Sequence, residues 1–409
     1  MFQTVLSLFR KSPPPRTDGR LGVLIELASF DKGGLEKVVL DSAIAFDRNR
    51  FDVTIVTPGT VGHLGAVARN AGLRVIGLPS RNPLPAYERL LKELHIDVAM
   101  SHFSHTGYEL FARHRIPNIT FIHNVYAFFS KEQADAFERN DRYVDCYISV
   151  SQNATRFAVQ NLGVDAQKVI TVPNGLIISE HEARDKKPVK LTRAELGLAD
   201  TDYVFANIAS YNLHKGHYVM ADAMRHLLQR RRDVKILCVG NVVYPPHVEA
   251  LRNYLAEHGL EQHILMPGYF PDVEDVHRVT DAFLLPSFIE GWSIAMNEAM
   301  FYQKPMILTD TGASAEVIED NDIGILVQNE YGGTPNLNSK LLDELAYAPR
   351  SYAIAPVLAD AMDNMASNRD AWREKAAAGR RKIYERFDFS NIVKRYEEII
   401  ETVVKKSSR

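Results

Sequence analysis

Short runs dense in Val, Ile and Leu recur along the chain, separated by helix-length stretches. In the first half the runs are LGVLIELAS, FDVTIVTP, LRVIGLP, IDVAMSH, NITFIHN, CYISVS and VITVPNG. In the second they are YVFANIAS, VKILCVG, HILMPGY, DAFLLPS, PMILTD and GILV. They lack clean apolar–polar alternation, the pattern of strands buried on both faces. Connecting segments such as GHYVMADAMRHLLQRR and VEALRNYLAEHGL carry helical spacing. Strand, helix, strand repeated in this way predicts an α/β chain of two Rossmann-like, doubly wound parallel sheets facing each other across a cleft. Between the two series, HEARDKKPVK is charged, contains a proline and has no apolar period, so it reads as a linker. The expected division is an amphipathic, Pro-rich segment at 1–20, a first domain at 21–180, a linker at 181–195 and a second domain at 196–384. The amphipathic helix of FDFSNIVKRYEEIIETVV, within 385–405, would then return to cap the first domain.

Length agrees with two domains, because 409 residues exceed one ordinary core. With 46% apolar and 24% charged residues the composition is that of a soluble globular protein. A net charge of −3 gives no sign of nucleic-acid binding. Cys146 and Cys238 sit inside apolar runs and read as buried reduced thiols, which points to a cytoplasmic protein. The chain contains no uninterrupted apolar run of about 18 residues, the length needed to span a membrane. In MFQTVLSLFRK, however, Phe2, Val5, Leu6 and Phe9 share one helical face, with Arg10 and Lys11 behind. The apolar part is too short, and the following SPPPR too Pro-rich, for a cleavable signal. Residues 1–11 are either a terminus frayed or docked on the body, or an interfacial helix making peripheral contact with the cytoplasmic membrane face.

In open parallel sheets, ligands bind beyond the carboxyl ends of the strands, so the strand-to-helix turns are where chemistry is expected. The turn SFIEGWSIAMNEAM (287–300) places Glu290 before Gly291 and Trp292, a tryptophan candidate for exposure. Ser293 is a plausible N-cap for the helix that follows, which carries Glu298. Eight helical residues turn by a net angle of about 80° and rise about 12 Å, so Glu290 and Glu298 cannot share one atom as an acid/base pair. They are spaced to hold two parts of one extended ligand. Between them, the amides around Gly291, Trp292, Ser293 and Ile294 form a helix N-terminus suited to phosphate. Phosphate flanked by two hydroxyl-binding carboxylates describes a nucleotide-sugar. The plain alternative is an ordinary helix with one capping and one solvated glutamate. Lys215 and Gly216, in NIASYNLHKGH, end a strand where a lysine can neutralise a diphosphate, or merely face solvent. Gly33 and Gly34 precede the first helix and either admit a ligand to the backbone or make a tight turn. His123 ends a strand as a structural or a substrate-touching histidine.

Together these turns resemble the retaining GT-B glycosyltransferases of family four, the group one type, from about residue 21 to about residue 404. The family's E-x7-E pair matches Glu290 and Glu298, and its glycine loop matches KGGLEKVV. KPMILTDTGASAEVI matches a later strand and turn with Glu316 in the acidic place, and SVSQNATRFAVQNLGVDAQKVITVPNGL includes Asn174 and Gly175. Two departures stand out. Ser210 occupies the position, five residues before the lysine, where the family usually has an arginine, and GAS replaces two glycines after TDT.

The resemblance implies transfer of a sugar from a nucleotide diphosphate donor to an acceptor hydroxyl with retention, in polysaccharide, lipopolysaccharide or other glycan synthesis. Lys215 and the amides at 292–294, with serine or backbone donors near Ser210, would stabilise the departing diphosphate. Glu298 would hold the ribose, Glu290 the sugar, and His123 would touch the sugar from the opposite domain. Partners would be the donor and a glycan or lipid-linked acceptor, with no cofactor and no metal required. The alternatives are a nucleotide-sugar epimerase on the same fold and a non-catalytic nucleotide-binding relative.

Overall fold

The structure, a computed structural model, describes residues 18–31 and 33–407. The amphipathic segment expected at 1–11 lies outside the described residues. Every run anticipated from the pattern is a strand. β1 (Leu21–Leu27), β2 (Phe51–Thr57), β3 (Arg74–Gly77), β4 (Val98–His102), β5 (Asn118–Ile122), β6 (Cys146–Ser149) and β7 (Val169–Thr171) make the first sheet. β8 (Tyr203–Ile208), β9 (Val234–Val239), β10 (Ile264–Gly268), β11 (Ala282–Leu285), β12 (Met306–Thr309) and β13 (Gly324–Val327) make the second. The orders are β3-β2-β1-β4-β5-β6-β7 and β10-β9-β8-β11-β12-β13, all pairings parallel. Every residue of β4 and β5 is buried, the polar Ser101, His102, Asn118 and Thr120 included, as in strands covered on both faces.

Strand order reverses between β1 and β4 in one sheet and between β8 and β11 in the other. Such switch points open crevices at the carboxyl ends of the strands. The turns after these four strands and after the adjacent β5 therefore position the site.

The terminal helix Phe389–Ser407 packs Ile392, Tyr396, Ile400 and Val403 into the core of the first domain. Arg50 fastens it through Glu397 at 2.7 Å and Glu401 at 2.5 Å. Where the chain crosses back, the Leu176 amide donates to the Phe387 carbonyl at 2.8 Å and the Phe389 amide to the Leu176 carbonyl at 3.0 Å.

One expectation is corrected. The stretch read as a linker from 181 begins inside a helix, Ile178–Asp185, whose His181 is buried against the rings of Phe301 and Tyr302. A helix anchored by one histidine leaves no apolar period to read. Among the described residues, no helix is long and apolar enough to cross a membrane.

Candidate active site

The turn after β11 is held from several sides. The Ser287 carbonyl accepts from the Thr309 hydroxyl at 2.6 Å and from the Asn329 amide at 2.9 Å, and the Tyr331 hydroxyl donates to the Phe288 carbonyl at 2.5 Å. The Phe288 amide donates to the His214 carbonyl at 2.9 Å, which joins this turn to the one after β8. Gly216 makes that junction close. It is left-handed with φ 70°, and a Cβ there would lie 2.0 Å from the Pro286 carbonyl oxygen. With both turns fixed, the buried Glu290 carboxylate accepts from Lys215 Nζ at 2.6 Å and from the Ser287 hydroxyl at 2.8 Å. Charge-assisted bonds of this kind, shielded from water, are among the stronger polar contacts a protein makes.

The first domain meets this turn directly. Asn124 forms an antiparallel bridge with Gly291, and the Val125 amide reaches the Glu290 carbonyl at 3.4 Å. A Cβ on Gly291 would lie 1.8 Å from the His123 carbonyl oxygen, so only glycine permits the approach. The His123 backbone thus meets the Glu290–Gly291 turn across the domain boundary. The His123 ring stacks on Phe121 at 5.5 Å, and its Nε2 lies 2.9 Å from His102 Nδ1. Burial pushes His123 down to about 4 and His102 well below its usual range, so the two rings pair as neutral donor and acceptor. His102 escaped the sequence reading because nothing local marks it; only the β4–β5 register sets it beside His123.

The helix after the turn runs Ile294–Phe301, with Ser293 at the N-cap and no side-chain cap bond. Its first-turn amides therefore lack the usual serine acceptor. A cavity of about 210 Å³ lies along this helix and is lined from both domains, by Gly34, Asn174, His181, Arg184, Ile294 and Glu298. Gly33 precedes it as the N-cap of the helix Gly34–Ala45. Burial pushes Glu298 up to about 7 and His181 down to about 4, so their 3.9 Å approach joins a neutral imidazole to a carboxyl group and is no ion pair at neutral pH.

One residue differs from expectation. Trp292 is not exposed: its indole N–H donates to Asn297 Oδ1 at 2.9 Å and its ring packs on Phe387, so only its backbone remains for a ligand. The Ser210 carbonyl accepts the Asn212 amide at 2.8 Å in the turn that leads to Lys215. Elsewhere along the boundary, Glu316 Oε1 accepts the Gln152 amide at 2.7 Å and so caps the helix Gln152–Asn161 of the other domain. Among the described residues, no group of three His, Cys, Asp or Glu side chains could hold a metal ion.

Residues 32–180 match the family described as Glycosyltransferase Family 4, and residues 189–333 match the family described as Glycosyl transferases group 1. The chain belongs to these glycosyltransferases. It is 25% identical over 344 residues to the D-inositol 3-phosphate glycosyltransferase of Nocardia farcinica, covering 75% of this chain and 76% of that one. It is 29% identical over 155 residues to the lipopolysaccharide core biosynthesis mannosyltransferase of Rhizobium meliloti, covering 36% and 44% of the two chains. Its fold is that of Anabaena HepE in complex with UDP-glucose, with a TM-score of 0.76 at 19% identity over 94% of this chain and 100% of that one. The chain is accordingly a nucleotide-sugar glycosyltransferase of the two-domain GT-B architecture.

Proposed function

We propose that this glycosyltransferase transfers a sugar, with retention, from a nucleotide diphosphate donor to a hydroxyl of a glycan or lipid-linked acceptor in surface polysaccharide or lipopolysaccharide synthesis. The lipopolysaccharide mannosyltransferase among its relatives supports the pathway class. One observation carries the assignment of the site: the Lys215–Glu290 pair lies beside the helix beginning at Ile294 and against the His123 loop of the other domain.

As the bond to the anomeric carbon breaks, the diphosphate gains charge and the sugar gains oxocarbenium character. Lys215 and the amides of residues 291–294 would take up the first, in a site largely shielded from water. Positive charge from these groups is why the reading needs no metal. Glu290 would contact the sugar and steady its developing positive charge, and Glu298 would accept from the ribose hydroxyls. Neutral His123 would serve as a hydrogen-bonding group to the sugar. No second nucleophile is required if the acceptor attacks from the face the diphosphate leaves.

The test is a screen of UDP-, GDP- and ADP-sugars for nucleoside diphosphate release, with the anomer of the transferred sugar read by NMR. Release from at least one donor with retention is expected, lost in Glu290→Ala. Inversion would overturn the retaining reading, and near-normal turnover by that variant would remove Glu290 from the mechanism. An isomerised donor formed without acceptor would favour the epimerase alternative. Residues 1–11 are proposed as a peripheral contact with the cytoplasmic membrane face, and a truncated chain that still co-sediments with vesicles would count against this.

A further inference from the structure

Phe103, the residue after β4, has φ 53°, a region that a bulky side chain occupies only against steric strain. Its ring contacts Tyr126, Phe128 and Phe129 on one side, yet 47% of its surface stays exposed, so burial offsets that conformation only in part. The loop behind it is braced from below. Glu26, fully buried, accepts from the Tyr87 hydroxyl at 2.6 Å, and its carboxylate faces the Ser104 hydroxyl and the Thr106 and Gly107 amides. A costly buried carboxylate thus underpins a loop whose visible product is an outward phenylalanine.

Phe103 forms one wall of a cavity of about 220 Å³ in the first domain, where Tyr126, Phe129 and Phe137 supply further flat walls and His105 and Gln133 supply polar edges. Tyr126 and Phe129 are stacked at 4.8 Å, with Phe103 edge-on to Tyr126 at 5.7 Å. The same aromatic group runs to the reaction centre. The Tyr126 hydroxyl accepts the His123 amide at 2.9 Å, and Phe128 stacks on His214, the neighbour of Lys215, at 6.3 Å.

The lining contains no Asp, Glu, Lys or Arg, so nothing in it would select a phosphate. The Gln133 amide oxygen accepts the Ser130 N–H at 2.9 Å, which leaves its NH₂ group as a donor. A hydrocarbon chain would cover that donor and the His105 ring nitrogens without pairing them, at a cost in free energy. A ring with an apolar C–H face and hydroxyls at its edge satisfies both kinds of wall.

We propose that this cavity binds an uncharged pyranose of the acceptor, its C–H face against Phe103 and Phe129 and a hydroxyl on the Gln133 amide. The inference rests on the transferase reading above and deepens it: the acceptor presents a neutral sugar beside the reaction centre, rather than a bare lipid alcohol or a phosphate.

The experiment uses the full chain and saturation-transfer NMR with methyl α-glucoside, methyl α-galactoside, methyl α-mannoside and methyl N-acetyl-α-glucosaminide, alongside inorganic phosphate and farnesol. At least one pyranoside should bind, about tenfold more weakly in Phe103→Gly and in Gln133→Leu. Phe103→Gly removes both the backbone strain and the ring's contacts with Tyr126, Phe128 and Phe129, two opposing effects on Tm, so each variant is first shown to be folded by circular dichroism. UDP, GDP and ADP binding, measured by calorimetry in parallel, should be unchanged in both variants. Absence of pyranoside binding while a nucleotide binds would overturn the sugar site and leave the transferase reading standing. Phe103-dependent binding of farnesol in place of sugars would also overturn it. Pyranoside binding with no nucleotide binding would instead sink the transferase reading and support the sugar site.

Discussion

Lys215 Nζ lies 2.6 Å from Glu290 Oε1, so the cation assigned to the donor's diphosphate is already held by the carboxylate assigned to its sugar. A bound donor must share Lys215 with Glu290. The two side chains should therefore separate by substitution. Lys215→Ala removes a charge-assisted bond and should weaken nucleoside diphosphate binding by about 1.5–3 kcal/mol. Glu290→Gln keeps the shape but releases the lysine, so affinity should hold or rise while transfer falls by about a hundredfold or more. Calorimetry and turnover on both variants decide this. Equal loss of nucleotide affinity in the two would mean that the pair acts as one unit.

The contact between domains depends on a missing methyl group. In Gly291→Ala the new Cβ would have to occupy space 1.8 Å from the His123 carbonyl oxygen and 2.7 Å from its carbon, both backbone atoms with little freedom to yield. Neither sheet passes through this point, so each domain should fold. The loss should fall on closure: a larger radius of gyration by small-angle scattering, with kcat/KM reduced by at least about tenfold. A variant with unchanged scattering and turnover would show that the bridge is dispensable.

The strands could be read from the chain because strands such as β11 and β12 are buried at every residue, a condition that leaves a largely apolar run in sequence. The turn at 287–300 could be found because a strand, a glycine and a helix start occur within a few residues. What could not be read depends on contacts distant in sequence. Ser287 matters to Glu290, and His102 to His123, only through a particular turn geometry and strand register. The same holds for Trp292: a tryptophan beside a turn reads as exposed until Asn297 and Phe387 close over it. His181, in a segment dominated by charge, is buried against aromatic rings from another element.

Glu298 should make both stability and binding depend on pH. Burial raises its carboxyl from the ordinary 4.5 to about 7 in the folded protein. Between those values the folded chain holds a proton that the unfolded chain releases, so stability falls as pH rises through the window and the penalty is complete above about 7. At about 1.4 kcal/mol per unit, the full penalty is about 3 kcal/mol. Glu298→Gln removes it, so the variant should gain in Tm over the parent at pH 8 and show little difference at pH 4. If the carboxylate accepts from ribose, parental affinity for the nucleoside diphosphate should rise more steeply from pH 6 to pH 8 than the variant's, because ionisation of the terminal phosphate is common to both. A parallel pH response in the two proteins would detach Glu298 from both effects.

Asn297 joins the two domains through a closed set of buried bonds. Its Nδ2 donates to the Asn174 carbonyl at 2.9 Å, its Oδ1 accepts the Trp292 indole N–H at 2.9 Å, and Asn174 Nδ2 returns to the Trp292 carbonyl at 3.2 Å. Asn297 itself is fully buried. Asn297→Leu would keep roughly the same volume while leaving an indole donor and a carbonyl without partners away from water. Two such groups at about 1–3 kcal/mol each predict a loss of about 2–4 kcal/mol after partial relaxation. The set spans the turn of one domain and the crossing segment of the other, so the loss should also reach the cleft. Denaturant unfolding should report the drop in stability. Nucleoside diphosphate affinity, measured where the variant is still folded, should fall by about tenfold, because Asn174 and Ile294 line the cavity of Glu298. A destabilised variant with full nucleotide affinity would confine Asn297 to packing and deny it any part in shaping the donor site.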